Sequence, residues 1–260
     1  MKFSLCLETV FADRPFVERM RAASALGYSA IEFWDWRTKD LTAIMEAAAE
    51  FNLTIAAMSG NRQHALIDPD ARAGLMTEMM EVFEVAQQLD CGHLMMLSDV
   101  LAADGSAALS RPLSNEEKFE SVVEGFRGLA HQAVDVGLVL LLEPLNTTLD
   151  HRGCFLNSSR VGFEIIRQVD SPQVKLLYDI YHMSMMSEDV IAQIESHLNL
   201  IGYLHVADIP GRHQPGTGRI DYHAIADWLK RLRFDGFIGM EFFPHGPDEI
   251  AARAPKEIFL

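Results

Sequence analysis

Eight short apolar runs, each followed by a longer amphipathic stretch, recur along this chain. They occupy 2–7 (KFSLCL), 30–34 (AIEFW), 54–58 (TIAAM), 93–97 (HLMML), 138–143 (LVLLLE), 174–179 (VKLLYD), 201–207 (IGYLHVA) and 237–242 (FIGMEF). Near-continuous apolarity, in place of in–out alternation, marks strands covered on both faces, as in a parallel sheet. Parallel strands need crossovers, and the intervening segments supply them. Leu75, Met79, Phe83 and Ala86 share one helical face. Ser114 and Glu117 form a capping-box pattern ahead of apolar residues at 119, 122, 123, 126, 129, 130 and 133. Gly27, Gly92, Gly137 and Gly236 stand where helices are expected to stop before the next strand. Eight such units in 260 residues predict an α/β protein, a single-domain (β/α)8 TIM barrel over residues 1–260. The rival, an open doubly wound sheet, favours a glycine-rich phosphate turn after the first strand, and LETVFADRP has none. The polar stretch 98–115 reads as a loop over one face, and DEIAARAPKEIFL leaves little length for a last helix.

Charge narrows the choice of partner. A net charge of −15 repels a phosphate backbone, so nucleic acid is a poor ligand. Cys6, Cys91 and Cys154 are widely separated and odd in number, which fits neither a disulfide framework nor a zinc-finger spacing. They are expected to be small buried residues. Glu8 interrupts the first apolar run too early for a secretion signal, and no run approaches the ~20 residues of a membrane span. The expectation is a cytoplasmic protein without membrane or nucleic-acid partners.

In a barrel, chemistry gathers at the carboxyl ends of the strands. The fifth run ends at Glu143, the sixth at Asp179 with His182 three residues on, the seventh passes through His205 to Asp208, and the eighth ends at Glu241. Singly, each could be a rim charge or a satisfied histidine. Together, three carboxylates at one mouth repel each other unless protons, arginines or a divalent cation neutralise them. Two Glu, one Asp and one His suit Mn²⁺ or Mg²⁺ first, with Co²⁺ and Zn²⁺ as alternatives. The stretch HVADIPGRHQPGTG then bends Arg212 and His213 back towards the mouth, where an arginine can offset charge and grip a substrate oxygen. Trp34, Trp36, Phe242 and Phe243 are candidate pocket walls, with plain packing as the alternative. Glu8 and His64 are weaker candidates, His93 belongs to the opposite rim, and His245 is left open.

EPLN, DIYHM, HVADIPGRHQPGTGRIDY and GMEFFP, with the early CLETVF and IEFWDW, resemble the hydroxypyruvate isomerase family over nearly the whole chain. That family lies within the xylose isomerase-like TIM barrels, beside the ketose 3-epimerases and endonuclease IV. The resemblance implies one divalent metal held by Glu143, Asp179, His205 and Glu241. It also implies Glu143 and Glu241 as an acid/base pair, and substrate contacts from His182 and Arg212. Many hydroxypyruvate isomerase relatives carry glutamine where this chain has His205, whereas ketose epimerases carry histidine. The implied activity is isomerisation of a sugar or hydroxy-keto acid by proton transfer through an enediolate. A ketose 3-epimerase, or a related lyase or deglycosidase, is the alternative, and a non-catalytic sugar-binding barrel is the third. The family also implies a homo-oligomer.

Overall fold

The computed structural model describes residues 1–108 and 111–260. Eight strands, β1 (Lys2–Cys6), β2 (Ala30–Phe33), β3 (Thr54–Ser59), β4 (His93–Met96), β5 (Val139–Leu142), β6 (Val174–Asp179), β7 (Ile201–Val206) and β8 (Phe237–Met240), lie inside or within one residue of the eight apolar runs. Each pairs in parallel with the next, and β8 returns to β1, so the sheet closes. Closure decides between barrel and open sheet.

The helices pack outside: α1 (Phe16–Ala25), α2 (Leu41–Phe51), α3 (Arg72–Gln88), α4 (Asn115–Val136), α5 (Ser159–Val169), α6 (Ile180–Met185), α7 (Val190–His197), α8 (Tyr222–Arg231) and α9 (Asp248–Phe259). The predicted face of α3 is buried through Leu75, Met79, Phe83 and Ala86. Ser114 and Glu117 close the capping box of α4, with Ser114 Oγ accepting from the Glu117 N–H at 3.2 Å. Gly27 and Gly137 take left-handed conformations at φ 75° and 72°, as helix-ending glycines do. Gly92 and Gly236 do not, because Asp90 and Arg233 have already made the left-handed turn. The chain end corrects the sequence reading. DEIAARAPKEIF forms the 12-residue α9, and Phe259 buries its ring against Phe3 and Tyr222.

The barrel interior is lined by small and aliphatic residues, Ala30, Ala56, Ala57, Leu141 and Leu177, around the ring of Tyr203. His93 sits at its floor with Nδ1 2.9 Å from Ala56 O, a structural role at the end away from the chemistry. All three cysteines are buried and free, and burial pushes the Cys91 thiol up to about 12. In the 98–115 loop, Leu101 bridges to Ala107, whose N–H donates to Arg152 O, so the segment folds over the β5–α5 connection. Residues 109 and 110 of that loop lie outside the described residues. Among the described residues, no helix is long and apolar enough to cross a membrane.

Candidate metal centre

Four adjacent strands deliver the ionisable groups to one rim. Glu143 and Glu241 are the first residues beyond β5 and β8, Asp179 ends β6, and His205 lies within β7. One ligand atom from each falls within 4.8 Å of the other three, and all four side chains are buried. Asp179 also serves the backbone. Its Oδ1 accepts from the His182 N–H at 3.0 Å and caps α6, which fixes the carboxylate against the barrel wall. His205 Nδ1 lies 3.9 Å from Glu143 and 3.6 Å from Glu241.

Three buried carboxyls this close cannot all carry charge unaided. Burial, reinforced by Glu241, pushes the Glu143 carboxyl well above the usual glutamate range. Burial also raises Asp179, against the pull of Arg212. Burial raises Glu241 too, but there Arg212 and His205 outweigh it and hold the carboxyl low. Arg212 explains that asymmetry. Its Nη2 pairs with Glu241 Oε2 and stands 3.8 Å from Asp179, while its guanidinium lies over Tyr181. Burial opposes charge on His205, yet Glu32 and Glu241 hold its pKa well above the ordinary value. Both His205 ring nitrogens lack a well-aligned hydrogen-bond partner despite complete burial. Three carboxylate oxygens and one imidazole nitrogen converging on an under-neutralised, water-excluded point are a donor set that fits a divalent cation such as Mn²⁺, Mg²⁺, Co²⁺ or Zn²⁺.

The backbone carrying Arg212 is held by Asp208. That fully buried carboxyl accepts from the N–H groups of Ile209 (2.8 Å), Gly216 (3.0 Å), Gly218 (2.8 Å) and Ile220 (3.1 Å). A Cβ on Gly218 would stand 2.1 Å from Ile209 O and 2.5 Å from Asp208 Oδ1, so only glycine allows this wrap. Gly211 and Arg212 are both left-handed, at φ 91° and 54°, and this turns the arginine side chain inward.

The other expected contacts divide. Trp34 borders the cluster, its Nε1–H donating to Glu241 Oε1 at 2.8 Å. His182 is fully buried beside Asp179, and burial pushes its pKa well below the ordinary value. His213 is not brought to the cluster: its Nδ1 is 2.8 Å from Phe243 O and its ring packs on His245. Phe243 lies 5.9 Å from the Arg212 guanidinium, whereas Phe242 and Trp36 pack with the hydrophobic core. Glu8 is engaged by Lys39 and by the Trp34 N–H, and His64 by Glu78.

Several neighbours escape a reading of strand ends. Glu32, inside β2, is fully buried with Oε1 3.0 Å from His205 Nε2. Ser4 and Tyr203 hydroxyls each donate to its Oε2 at 2.5 Å. Asn146 lies beneath His182, and Asp150 accepts from Tyr181. Glu32 had a signal, being a carboxylate in the middle of the apolar run 30–34. Asn146 had only its place in EPLN.

The sequence profile of the family described as xylose isomerase-like TIM barrel matches residues 20–258. The hydroxypyruvate isomerase of Escherichia coli is 26% identical, with 97% of each chain covered. The 2-oxo-tetronate isomerase of Cupriavidus necator is also 26% identical, covering 94% of this chain and 93% of its own. Among solved structures, the D-psicose 3-epimerase of Clostridium cellulolyticum superposes with a TM-score of 0.85 over 100% of this chain and 98% of its own. At 19% identity that last likeness concerns the fold.

Proposed function

The chain belongs to the xylose isomerase-like TIM barrel family, and from that premise we propose that it is a metal-dependent isomerase of a small sugar or hydroxy-keto acid. The observation that carries the reading is the buried quartet Glu143, Asp179, His205 and Glu241, with ligand atoms within 4.8 Å of one another. A divalent ion held by these four would supply Lewis-acid polarisation of adjacent carbonyl and hydroxyl oxygens and neutralise their charge as an enediolate develops.

The protein's own groups account for the rest. Glu143 and Glu241 project from β5 and β8 as two carboxyls able to take a proton from one carbon and return it to the same carbon or its neighbour. Trp34 Nε1–H and Arg212 Nη2 both donate to Glu241 and orient it. Arg212 spans Glu241 and Asp179, placing a fixed positive charge where substrate oxygens must enter. Tyr181 and Phe243 flank that guanidinium and shield it from water.

Transfer to the neighbouring carbon gives isomerisation; return to the original carbon from the opposite face gives epimerisation. His205, an imidazole where many hydroxypyruvate isomerases resemble one another in having glutamine, favours keeping 3-epimerisation as the second reading. Incubation of the Mn²⁺-loaded protein in deuterated water with hydroxypyruvate, 2-oxo-tetronate and free ketohexoses tests both. Solvent deuterium at a carbon beside the carbonyl of a converted product is the expected result, and its position separates the two. Product wholly free of solvent deuterium counts against proton transfer with exchange, and no turnover of any member of the panel removes the isomerase reading. Glu143→Gln and Glu241→Gln are each expected to lower turnover by at least ~10²-fold while folding normally.

A further inference from the structure

His182 is completely buried, and its Nε2 has no hydrogen-bond partner. An orphaned polar atom in such a place is costly unless something outside the protein meets it. What it can offer depends on which ring nitrogen carries the proton, and the surroundings decide this. Asn146, also completely buried, has an amide whose hydrogen-bonding capacity is fully used. Its Oδ1 accepts from the backbone N–H groups of Leu149 and Asp150, both at 3.1 Å. The reverse amide orientation would set NH₂ against those two N–H groups, so Nδ2 is the donor end. One Nδ2 hydrogen goes to Asp150 Oδ2 at 2.7 Å and the other to His182 Nδ1, also at 2.7 Å. Asp150 Oδ2 is held in turn by the Tyr181 hydroxyl at 2.7 Å. His182 Nδ1 faces a donor and must accept.

We propose that Asn146 is a positioning residue that locks the His182 imidazole in the tautomer carrying its proton on Nε2. The unspent N–H then stands 3.6 Å from Asp179 Oδ2, at the edge of the metal cluster. With Arg212, it presents incoming ligands with hydrogen-bond donors only. Such a pair selects a substrate face rich in acceptor oxygens and holds negative charge forming there, without His182 exchanging a proton. The functional half of this proposal rests on the isomerase reading; the tautomer does not.

Asn146→Asp is the discriminating variant. An aspartate at 146 can still accept from Leu149 N and Asp150 N, so the turn survives, but it offers His182 an acceptor in place of a donor. Two-bond ¹H–¹⁵N spectra of the histidine-labelled protein, with the His182 signal assigned by its absence in His182→Gln, read the proton position directly. The wild type is expected to show a protonated Nε2 and an unprotonated Nδ1, and Asn146→Asp a protonated Nδ1. A protonated Nδ1 in the wild type, or an Nδ1 still bare in Asn146→Asp, overturns the lock. Asn146→Asp with Asp150→Asn removes the new pair of neighbouring carboxyls and should give the same spectrum if the single variant folds poorly. Turnover of whichever panel substrate the wild type accepts is expected to fall ~10²-fold in Asn146→Asp, the size of losing one aligned donor. Unchanged turnover with Nδ1 protonated overturns the functional half. A wild type that converts nothing defeats the isomerase reading and leaves the tautomer result standing.

Discussion

Glu32 shows how a single side chain can serve a site that it does not enter. It projects from β2 into the barrel, takes hydroxyl donors from Ser4 and Tyr203 on one oxygen, and turns the other to His205 Nε2. Room for this pair comes from Gly239 on β8, where a Cβ would lie 2.5 Å from His205 Cδ2 and 2.6 Å from Glu32 Oε2. With Nε2 turned to Glu32 at 3.0 Å, Nδ1 is the nitrogen left to face Glu143 and Glu241. A carboxyl behind a ligating histidine fixes its ring and raises its basicity, and its loss typically costs 10–100-fold in metal affinity. Glu32→Gln is therefore expected to weaken Mn²⁺ binding about 10–100-fold in a calorimetric titration. Affinity equal to the wild type would assign Glu32 to barrel packing alone. At this scale legibility followed position. Glu143, Asp179, His205 and Glu241 were visible because each ends or nearly ends an apolar run. Asp208 was visible as a residue after the seventh run, but its role and that of Asn146 were not, because these lie in which N–H or ring nitrogen comes within 3.1 Å of them, and that depends on contacts distant in sequence.

The loop after β7 makes the same point for an element. Its PGRHQPGTG composition signals turns, but the turns converge because Asp208 gathers N–H groups from Ile209, Gly216, Gly218 and Ile220. Asp208→Asn would set an amide NH₂ against part of that set. Leaving buried backbone donors unmet costs about 1–3 kcal/mol, and at ~2–4 °C per kcal/mol for chains near this size Tm should fall by roughly 2–12 °C. Because Arg212 rides on the loop, KM should rise in the same variant even at temperatures where it remains folded. A variant that loses Tm while keeping the wild-type KM would detach the loop from the site. Regular elements were legible for a different reason: the strand and helix periods are local, so all eight strands and the α4 capping box could be read directly. Ends were less legible. Asp90 and Arg233 adopt the left-handed turns expected of Gly92 and Gly236, because a polar or charged side chain pointing to solvent can bear that conformation at a modest cost. α9 was underestimated because its apolar face becomes meaningful only once Phe3 and Tyr222 are beside it.

At the scale of the molecule, closure of β8 onto β1 turns four separate strand ends into one site, and no local pattern in the sequence encodes that closure. Closure also concentrates charge. The chain has a net charge of −15, and within that field the barrel mouth brings together Glu143, Asp179 and Glu241 with Arg212 and His205 as their main counter-charges. A cation that binds only the folded arrangement must stabilise it: at 100 times its Kd the gain is about 2.7 kcal/mol, or roughly 5–11 °C in Tm for a chain of this size. Protons compete for the same oxygens. Burial and Glu241 raise the Glu143 carboxyl in the metal-free protein, so between its raised pKa and the ordinary glutamate value a proton must leave before the metal can bind. The sign follows: metal affinity falls as pH falls through the raised Glu143 pKa, and His205, whose pKa Glu32 and Glu241 also raise, must likewise lose a proton before Nδ1 can ligate. Thermal unfolding with excess Mn²⁺ and with EDTA should therefore show a gap in Tm that narrows as pH is lowered towards the ordinary glutamate range. The acidic surface attracts Mn²⁺ weakly as well, so Asp179→Asn is the control. It removes one ligand from the cluster while leaving the surface charge elsewhere unchanged, and the gap should disappear with it. A gap that persists in Asp179→Asn, or one that does not depend on pH, would place the stabilising ion somewhere other than the ends of β5 to β8.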